Sequence, residues 1–191
     1  MVDSNDCIVM LLLSLLSISS MVDSNSCRHS ILGISDGTIK DSQLSASSSF
    51  SPLSVGADNA RLGTERGGGA WCPASLVSEM TGVQEWLQID LVREQVVVGV
   101  IIQGRYAGGQ GQEFAEFVKI LVWVEEGWQE VREKDTEDVV IRANKDTHSK
   151  EEIILEKPVV TRKVRIVPFS KHPRMVCLRV ELLGCQVEGK V

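Results

Sequence analysis

The residue types that do most enzyme chemistry are sparse in this sequence and widely spaced. The three histidines, His29, His148 and His172, lie far apart in the 191-residue chain, which gives little support to zinc binding or histidine-based acid–base catalysis. Serines are numerous, but no Gly-x-Ser-x-Gly motif occurs, and no histidine stands in a motif that would activate a nucleophile. We therefore predict that the chain is not an enzyme and has no catalytic residues, no metal site and no cofactor.

Glycine-rich stretches at residues 67–69 and 107–111 are the next candidates for a functional motif. Neither forms Gly-x-Gly-x-x-Gly after a strand, and neither is followed by Gly-Lys-Ser/Thr, so phosphate binding is not indicated. We interpret both stretches as tight or ligand-facing loops. The formal net charge of −6 argues against a nucleic-acid partner, because nucleic-acid-binding domains usually carry a strongly basic face.

The cysteines indicate a disulfide-bonded domain outside the reducing cytosol. Cys7 lies in an N-terminal segment that we expect to be removed, which leaves an even number: Cys27, Cys72, Cys177 and Cys185. Four cysteines allow three pairings, and their spacing does not choose among them. No Cys-x-x-Cys occurs, which argues against a zinc knuckle or a thioredoxin-like site.

The N-terminal segment predicts export. Residues 8–18 are almost entirely apolar, but eleven helical residues span about 16 Å, well short of a hydrocarbon core of roughly 30 Å. Small residues follow, so we expect a signal peptide over residues 1–20, although two aspartates precede it where a positive charge is usual. A buried apolar helix is the alternative. Export would place the mature protein in the extracellular space or on the extracellular face of the plasma membrane.

Past this segment, the chain changes from loops to strands near Trp86. Residues 28–84 are rich in Ser, Gly and Asp, which favour turns. The remainder shows no helical periodicity and consists of short β-type runs separated by turn residues, the pattern of an all-β sandwich or barrel. The runs are residues 87–91, 95–103, 117–124, 127–133, 151–156, 162–168 and 176–184.

Charged residues in the C-terminal part follow two patterns. In the last run, Arg179 and Glu181 lie on the face opposite to Val176, Leu178, Val180 and Leu182, as the strand period of two requires. Five basic residues form the second pattern, and we interpret them as a solvent-exposed face of the domain. The alternative is a patch that binds heparin or acidic lipid. The five residues are Arg162, Lys163, Arg165, Lys171 and Arg174.

Ordered blocks along the chain resemble one known family, the discoidin domain, also called the coagulation factor V and VIII C-type domain. The blocks are IKDSQLSASSSF (39–50), ARL (60–62), GGAWCPA (68–74), WLQIDL (86–91), VVGVIIQGR (97–105), VRIVP (164–168) and LRVELLGC (178–185). The resemblance covers residues 27–185 and leaves residues 186–191 as a short tail. It implies a discoidin-type jelly-roll β-sandwich with ligand-binding loops at one end. It also implies the disulfides Cys27–Cys185 and Cys72–Cys177.

Within the family, the stretches 104–114 and 176–185 resemble the discoidin domain receptors, which are collagen-binding receptor tyrosine kinases. The resemblance places the collagen-binding arginine and glutamate on Arg105 and Glu113, the hydroxyl on Ser54, and the aromatic residue on Phe50, where the receptors have tryptophan. The receptors' acid falls on Gly68 and is absent. The implied function is an extracellular adhesion module that binds the collagen triple helix, either secreted alone or as part of a receptor. A phospholipid surface and a glycan remain the alternative partners.

Overall fold

The computed structural model describes residues 27–79, 85–125 and 127–187. The signal peptide expected at residues 1–20 lies outside these ranges, as do residues 188–191 of the expected tail. The described part of the chain contains β1 (Leu44–Ala46), a short helix α1 (Pro52–Val55), β2 (Leu87–Gln103), β3 (Phe117–Val124), β4 (Gly127–Val131), β5 (Ile141–Arg142), β6 (Glu151–Phe169) and β7 (Arg179–Gln186). None of the helices found in these ranges has the length and apolar character needed to cross a membrane.

Two long antiparallel strands organise the sheet. β2 has 17 residues and β6 has 19, and they pair with each other through two register shifts, the first between Asp90 and Gln95. The first half of β2 pairs with β1 on its other side, and the second half pairs with β7. β3 pairs with β6 and also carries β4 and β5. The resulting order is β1-β2-β6-β3-β4, with β7 on β2 and β5 on β3.

One prediction about strand boundaries is wrong. The runs at residues 87–91 and 95–103 belong to one strand, β2, and the runs at residues 151–156 and 162–168 belong to one strand, β6. Between the first two runs, Val92 adopts a left-handed backbone conformation with φ of 64°. An irregularity of this kind lets a strand bend without ending, so polar residues within the strand resemble a turn in the sequence.

Both halves of β2 contribute to one hydrophobic core. Leu87 and Ile89 from the first half and Val100 and Ile102 from the second half are all 0% exposed and lie in the same cluster. Leu182 of β7 belongs to that cluster as well. Burial of each such side chain stabilises the fold by about 1.5–3 kcal/mol. Because the strands direct alternate side chains into this shared core, the prediction of an all-β fold is confirmed.

The other face of β7 carries two charged side chains, and both are buried. Arg179 is 2% exposed and Glu181 is 0% exposed. The Glu181 carboxylate accepts the backbone N–H groups of residues 33–35, and the Arg179 guanidinium donates to the Gly104 carbonyl and to Glu65. Loops therefore cover this face, and the two charged side chains satisfy polar backbone groups that the loops bury.

Candidate ligand-binding site

Three loops meet at one end of the sandwich, which we call the loop end. They are residues 47–59, which include α1, residues 61–72 and residues 104–116. The Phe50 N–H donates to the Cys72 carbonyl (2.9 Å) and the Gly68 N–H donates to the Ser54 carbonyl (2.6 Å), which joins the first two loops. Arg105 Nε donates to the Gly68 carbonyl (2.6 Å), which joins the third loop. Three of the four residues expected in the binding site are thus brought together.

Two disulfides tie the N-terminal part of the domain to its C-terminal part. The structure joins Cys27 to Cys185 and Cys72 to Cys177, which are the pairs implied by the resemblance. The second disulfide lies in a buried cluster with Val55 of α1, so the disulfide holds the loop end from beneath. Disulfides that close 158 and 105 residues of chain are typical of domains in an oxidising extracellular environment.

The fourth expected residue, Glu113, forms an ion pair with Arg105. Arg105 Nη1 donates to Glu113 Oε2 at 3.0 Å, and the Arg105 backbone N–H donates to the Glu113 carbonyl at 2.9 Å. The side chains are 27% and 30% exposed, respectively. No other residue in the described ranges forms a hydrogen bond with Arg105 Nη2 or Glu113 Oε1. The pair therefore keeps one donor and one acceptor for a ligand.

The Glu113 carboxylate is held in its charged form. Partial burial raises its pKa, but hydrogen bonds from the Gln112 N–H and the Arg105 guanidinium outweigh that effect, and the pKa lies below the ordinary value of 4.5. A carboxyl whose pKa lies below 4.5 is more than half ionised at every pH above 4.5. The ion pair is therefore fully formed at neutral pH and is lost only as the pH falls through the lowered pKa.

Exposed apolar side chains form the tip of the loop end. Phe50 is 69% exposed, and Leu53 in α1 is 97% exposed. Trp71 lies in the adjoining loop but is 0% exposed, and its indole N–H donates to the Ser48 carbonyl, so it is a packing residue. Phe50 and Leu53 are thus available to a partner, whereas the tryptophan is not.

The glycine at the position of the missing acid lies where two loops approach closely. A Cβ atom placed on Gly68 would lie 2.7 Å from both Ser54 Oγ and Val55 Cγ1. Such distances are well below normal contact, so a side chain at this position requires neighbouring side chains to move. The Gly68 carbonyl meanwhile accepts a hydrogen bond from Arg105. The loss of the acid is therefore accompanied by tight packing and by a backbone partner for the arginine.

Tyr106 is an exposed residue of the loop end that the sequence reasoning did not select. It is 41% exposed and follows Arg105 directly. Its ring meets the His148 ring edge-on, with 6.3 Å between the centroids. Tyr106 lies within the stretch 104–114 that resembles the receptors, and its position beside Arg105 in that stretch is the signal that points to it.

Comparisons with known proteins identify the family. The F5/8 type C domain model matches residues 43–182. The chain is 39% identical over 167 residues to discoidin domain-containing receptor tyrosine kinase B of Caenorhabditis elegans, covering 86% of the chain and 20% of that protein. It is 40% identical over 169 residues to human epithelial discoidin domain-containing receptor 1 (85% and 17%), and 36% identical over 160 residues to mouse lactadherin (81% and 33%). The chain belongs to the F5/8 type C, or discoidin, domain family and spans about a fifth of the length of these receptors.

Solved structures confirm the discoidin-type jelly-roll β-sandwich. Discoidin II of Dictyostelium discoideum matches with a TM-score of 0.60 at 20% identity, covering 76% of this chain and 56% of that one. An F5/8 type C domain from Bacteroides fragilis matches with a TM-score of 0.59 at 16% identity, covering 75% and 91%. The family is a family of binding modules, and this chain matches only that part of the receptors. It is an extracellular type of binding module rather than an enzyme.

Proposed function

We propose that this domain binds the collagen triple helix through the loop end. The observation that carries the proposal is the Arg105–Glu113 ion pair, which is partly exposed and keeps a donor and an acceptor unused. Phe50 and Leu53 add exposed apolar area at the tip of the same surface. The resemblance to collagen-binding receptor kinases at Arg105 and Glu113 supports the choice of ligand.

The chemistry of the loop end matches what a triple helix presents. Collagen exposes peptide carbonyls, hydroxyproline hydroxyls and apolar side chains. Arg105 Nη2 donates to a collagen carbonyl, and Glu113 Oε1 accepts a hydrogen bond from a hydroxyl or N–H group. Phe50 contacts an apolar side chain of collagen and supplies the rigid aromatic area that anchors many interfaces. Phenylalanine has a smaller ring system than tryptophan and no N–H, so we expect weaker binding than in receptors that have tryptophan there.

A phospholipid surface is the second candidate, and one observation favours it. Leu53 and Phe50 are the kind of exposed apolar side chains that insert into a membrane interface. However, the nearby Arg66 is engaged in ion pairs with Asp41 and Asp58, which reduces its attraction for anionic lipid headgroups. The loop end therefore fits collagen better than it fits an acidic membrane.

The test compares Arg105→Ala with a matched control in a solid-phase assay on triple-helical collagen. Removal of one partner of a partly desolvated charged pair typically costs about 2–5 kcal/mol, so we expect affinity to fall about 30-fold or more. Arg162→Ala removes an exposed arginine of β6, outside the loop end, and should change affinity less than twofold. Thermal unfolding of each variant checks that the fold is intact.

Three results would contradict the proposal. Equal binding to triple-helical collagen and to heat-denatured gelatin would show that the triple helix is not recognised. Retained affinity in Arg105→Ala would remove the loop end as the binding site. If the domain does not bind collagen but sediments with phosphatidylserine vesicles, its ligand is a phospholipid surface. If it does not bind collagen but is captured on a glycan array, its ligand is a glycan.

A further inference from the structure

A second concave site opens beside the third loop, where β3 begins. We call it the Phe117 groove; its volume is about 540 Å³. Its lining includes Phe114, Glu116, Phe117, Arg142, Lys145 and Glu151. Phe114 and Glu116 belong to the third loop of the loop end, but the residues proposed to contact collagen, namely Phe50, Leu53, Arg105 and Glu113, do not line the groove. This size lies within the range usual for ligand sites, which combine an apolar wall with a few polar groups.

Phe117 is an aromatic residue of the groove lining, and two basic side chains lie near its ring. In the strand register Phe117 is opposite Arg142 of β5 and Phe169 of β6, so these side chains share one face of the sheet. Arg142 Cζ and Lys171 Nζ each lie 6.0 Å from the centroid of the Phe117 ring. Both basic side chains are exposed. Neither forms an ion pair with any acid in the described ranges.

The other charges of the groove are balanced. Glu116 pairs with Arg174 at 2.9 Å, and Glu151 pairs with Lys145 at 3.4 Å. The four charged lining residues balance, and the flanking Lys171 and Arg174 add two positive charges, so the groove and its rim carry a local charge of about +2 in a chain whose net charge is −6. A local surplus of this sign in an acidic protein points to an anionic ligand.

The structure also divides the basic set that was grouped from the sequence. Lys163 pairs with Asp90 at 3.5 Å. Arg165 lies between the rings of Trp86 and Trp128, 4.1 Å from each centroid. Lys171 Nζ instead lies 6.0 Å from the Phe117 ring centroid, and Arg174 Cζ lies 4.7 Å from the Phe114 ring centroid, so both residues flank the Phe117 groove. The set is therefore not one continuous solvated face, and two of its members lie at the rim of the groove.

We propose that the Phe117 groove binds a sulfated polysaccharide. Sulfate groups accept charge-assisted hydrogen bonds from Arg142 and Lys171. Sugar hydroxyls donate to the carboxylates of Glu116 and Glu151, and the apolar face of a sugar ring packs on Phe117. An acidic peptide offers anions but few hydroxyl donors for those carboxylates, and a lipid headgroup would require a site at a loop tip. The mixed lining of cations, carboxylates and an aromatic ring therefore favours the sugar.

The experiment measures binding of a heparin-derived octasaccharide by calorimetry across a salt series. Arg142→Ser with Lys171→Ser should weaken binding about tenfold or more and reduce the slope of log Kd against log salt by about two, one for each lost cation. The matched control is Lys134→Ser with Arg162→Ser, which removes the same charges from exposed positions that form no ion pair in the described structure. The control should change affinity less than twofold.

Several outcomes would overturn the site. If octasaccharide binding weakens equally in the groove variant and in the control, the loss comes from the change in net charge and not from the groove. Equal binding of polyglutamate, or of desulfated heparin, would remove the sulfated sugar as the ligand, and absence of octasaccharide binding would remove the site. Collagen binding measured on the groove variant separates the two proposals: it should be unchanged, whereas Arg105→Ala should lose collagen and keep the octasaccharide.

Discussion

The two halves of this domain are stabilised by different means. In the strand half, residues 85–125 and 127–187, apolar side chains alternate along β2, β6 and β7 and fill one core. In the loop half, residues 27–79, periodic apolar runs are absent. Isolated apolar side chains still join the same core, and buried charged groups hold the backbone between them; these apolar residues are Ile34, Ile39, Leu44, Ala60, Trp71 and Val77. Arg61, 7% exposed, donates to the carbonyls of Ile34 and Ile39, while Glu181 from β7 accepts three N–H groups of the same segment.

The difference explains how irregular loops become a fixed binding surface. A buried backbone group without a partner costs about 1–3 kcal/mol, and loops carry many such groups. The strand half directs Arg179 and Glu181 into the loops and supplies the partners that a sheet ladder would otherwise provide. The two disulfides add covalent ties between the halves. Rigidity in the loop half therefore depends on long-range polar anchors together with isolated apolar side chains in the shared core, and not on local sequence periodicity.

The largest expected effect comes from removing the disulfide beneath the loop end. Cys72→Ser with Cys177→Ser should lower the free energy of unfolding by about 4 kcal/mol, because the chain-entropy model gives about 4.7 kcal/mol for a closed loop of about 100 residues and strain reduces that value. The β signature in circular dichroism should remain. Denaturant unfolding measures the loss, and collagen affinity should fall because the loop end loses its support.

The other disulfide is the control for that prediction. Cys27→Ser with Cys185→Ser opens a loop of 158 residues instead of 105, and the logarithmic dependence on loop length makes the two losses equal to within about 0.5 kcal/mol. Collagen affinity should remain, since Cys27 and Cys185 pack in a separate cluster with Val96, Val98 and Leu183, which lie outside the three loops. Equal loss of affinity in both double variants would mean that general stability, rather than local support, controls binding.

The second effect tests the polar anchor itself. Glu181→Gln should lower the free energy of unfolding by about 3 kcal/mol, because an amide places N–H donors against the N–H groups that now bond to a buried carboxylate. Glu152→Gln makes the same change at an exposed position of β6 and should stay within about 0.5 kcal/mol. Similar values for both variants in urea unfolding would show that the loop half does not rely on Glu181.

The sequence predicts the strand half far better than it predicts the loop half. Leu87, Ile89 and Leu91 alternate with polar residues, and all three are buried. This alternation predicts burial because successive side chains of a strand point to opposite faces of the sheet. The same alternation places Arg179 and Glu181 on the opposite face but carries no information on what covers that face. The covering loops come from distant parts of the chain: Gly104 is separated from Arg179 by 75 residues, and Gly33 is separated from Glu181 by 148 residues.

The candidate site divides in the same way. Arg105 and Glu113 were assigned from a resemblance between motifs, and the distances between them and the exposure of Phe50 required the structure. The sequence also does not show that Ser54 and Val55 pack closely against Gly68, because these two residues belong to another loop. One consequence is practical: restoring the acid by Gly68→Asp requires Ser54 and Val55 to move, so it is a poor first test of collagen affinity.

The smallest effect is expected at the tip of the loop end. Because the Phe50 side chain is largely exposed, a substitution there can change collagen affinity without changing the free energy of unfolding. Phe50→Trp enlarges an aromatic ring system that is 69% exposed, so the free energy of unfolding should change by less than about 0.5 kcal/mol. The added ring area and N–H should strengthen binding to triple-helical collagen by about 1 kcal/mol, or roughly fivefold.

Leu76→Trp, at a residue 48% exposed outside the three loops, controls for added surface aromaticity and should leave affinity unchanged. Solid-phase binding gives the affinities. Stronger binding in both variants would attribute the gain to nonspecific adhesion, and no gain in Phe50→Trp would place the collagen anchor elsewhere on the loop end.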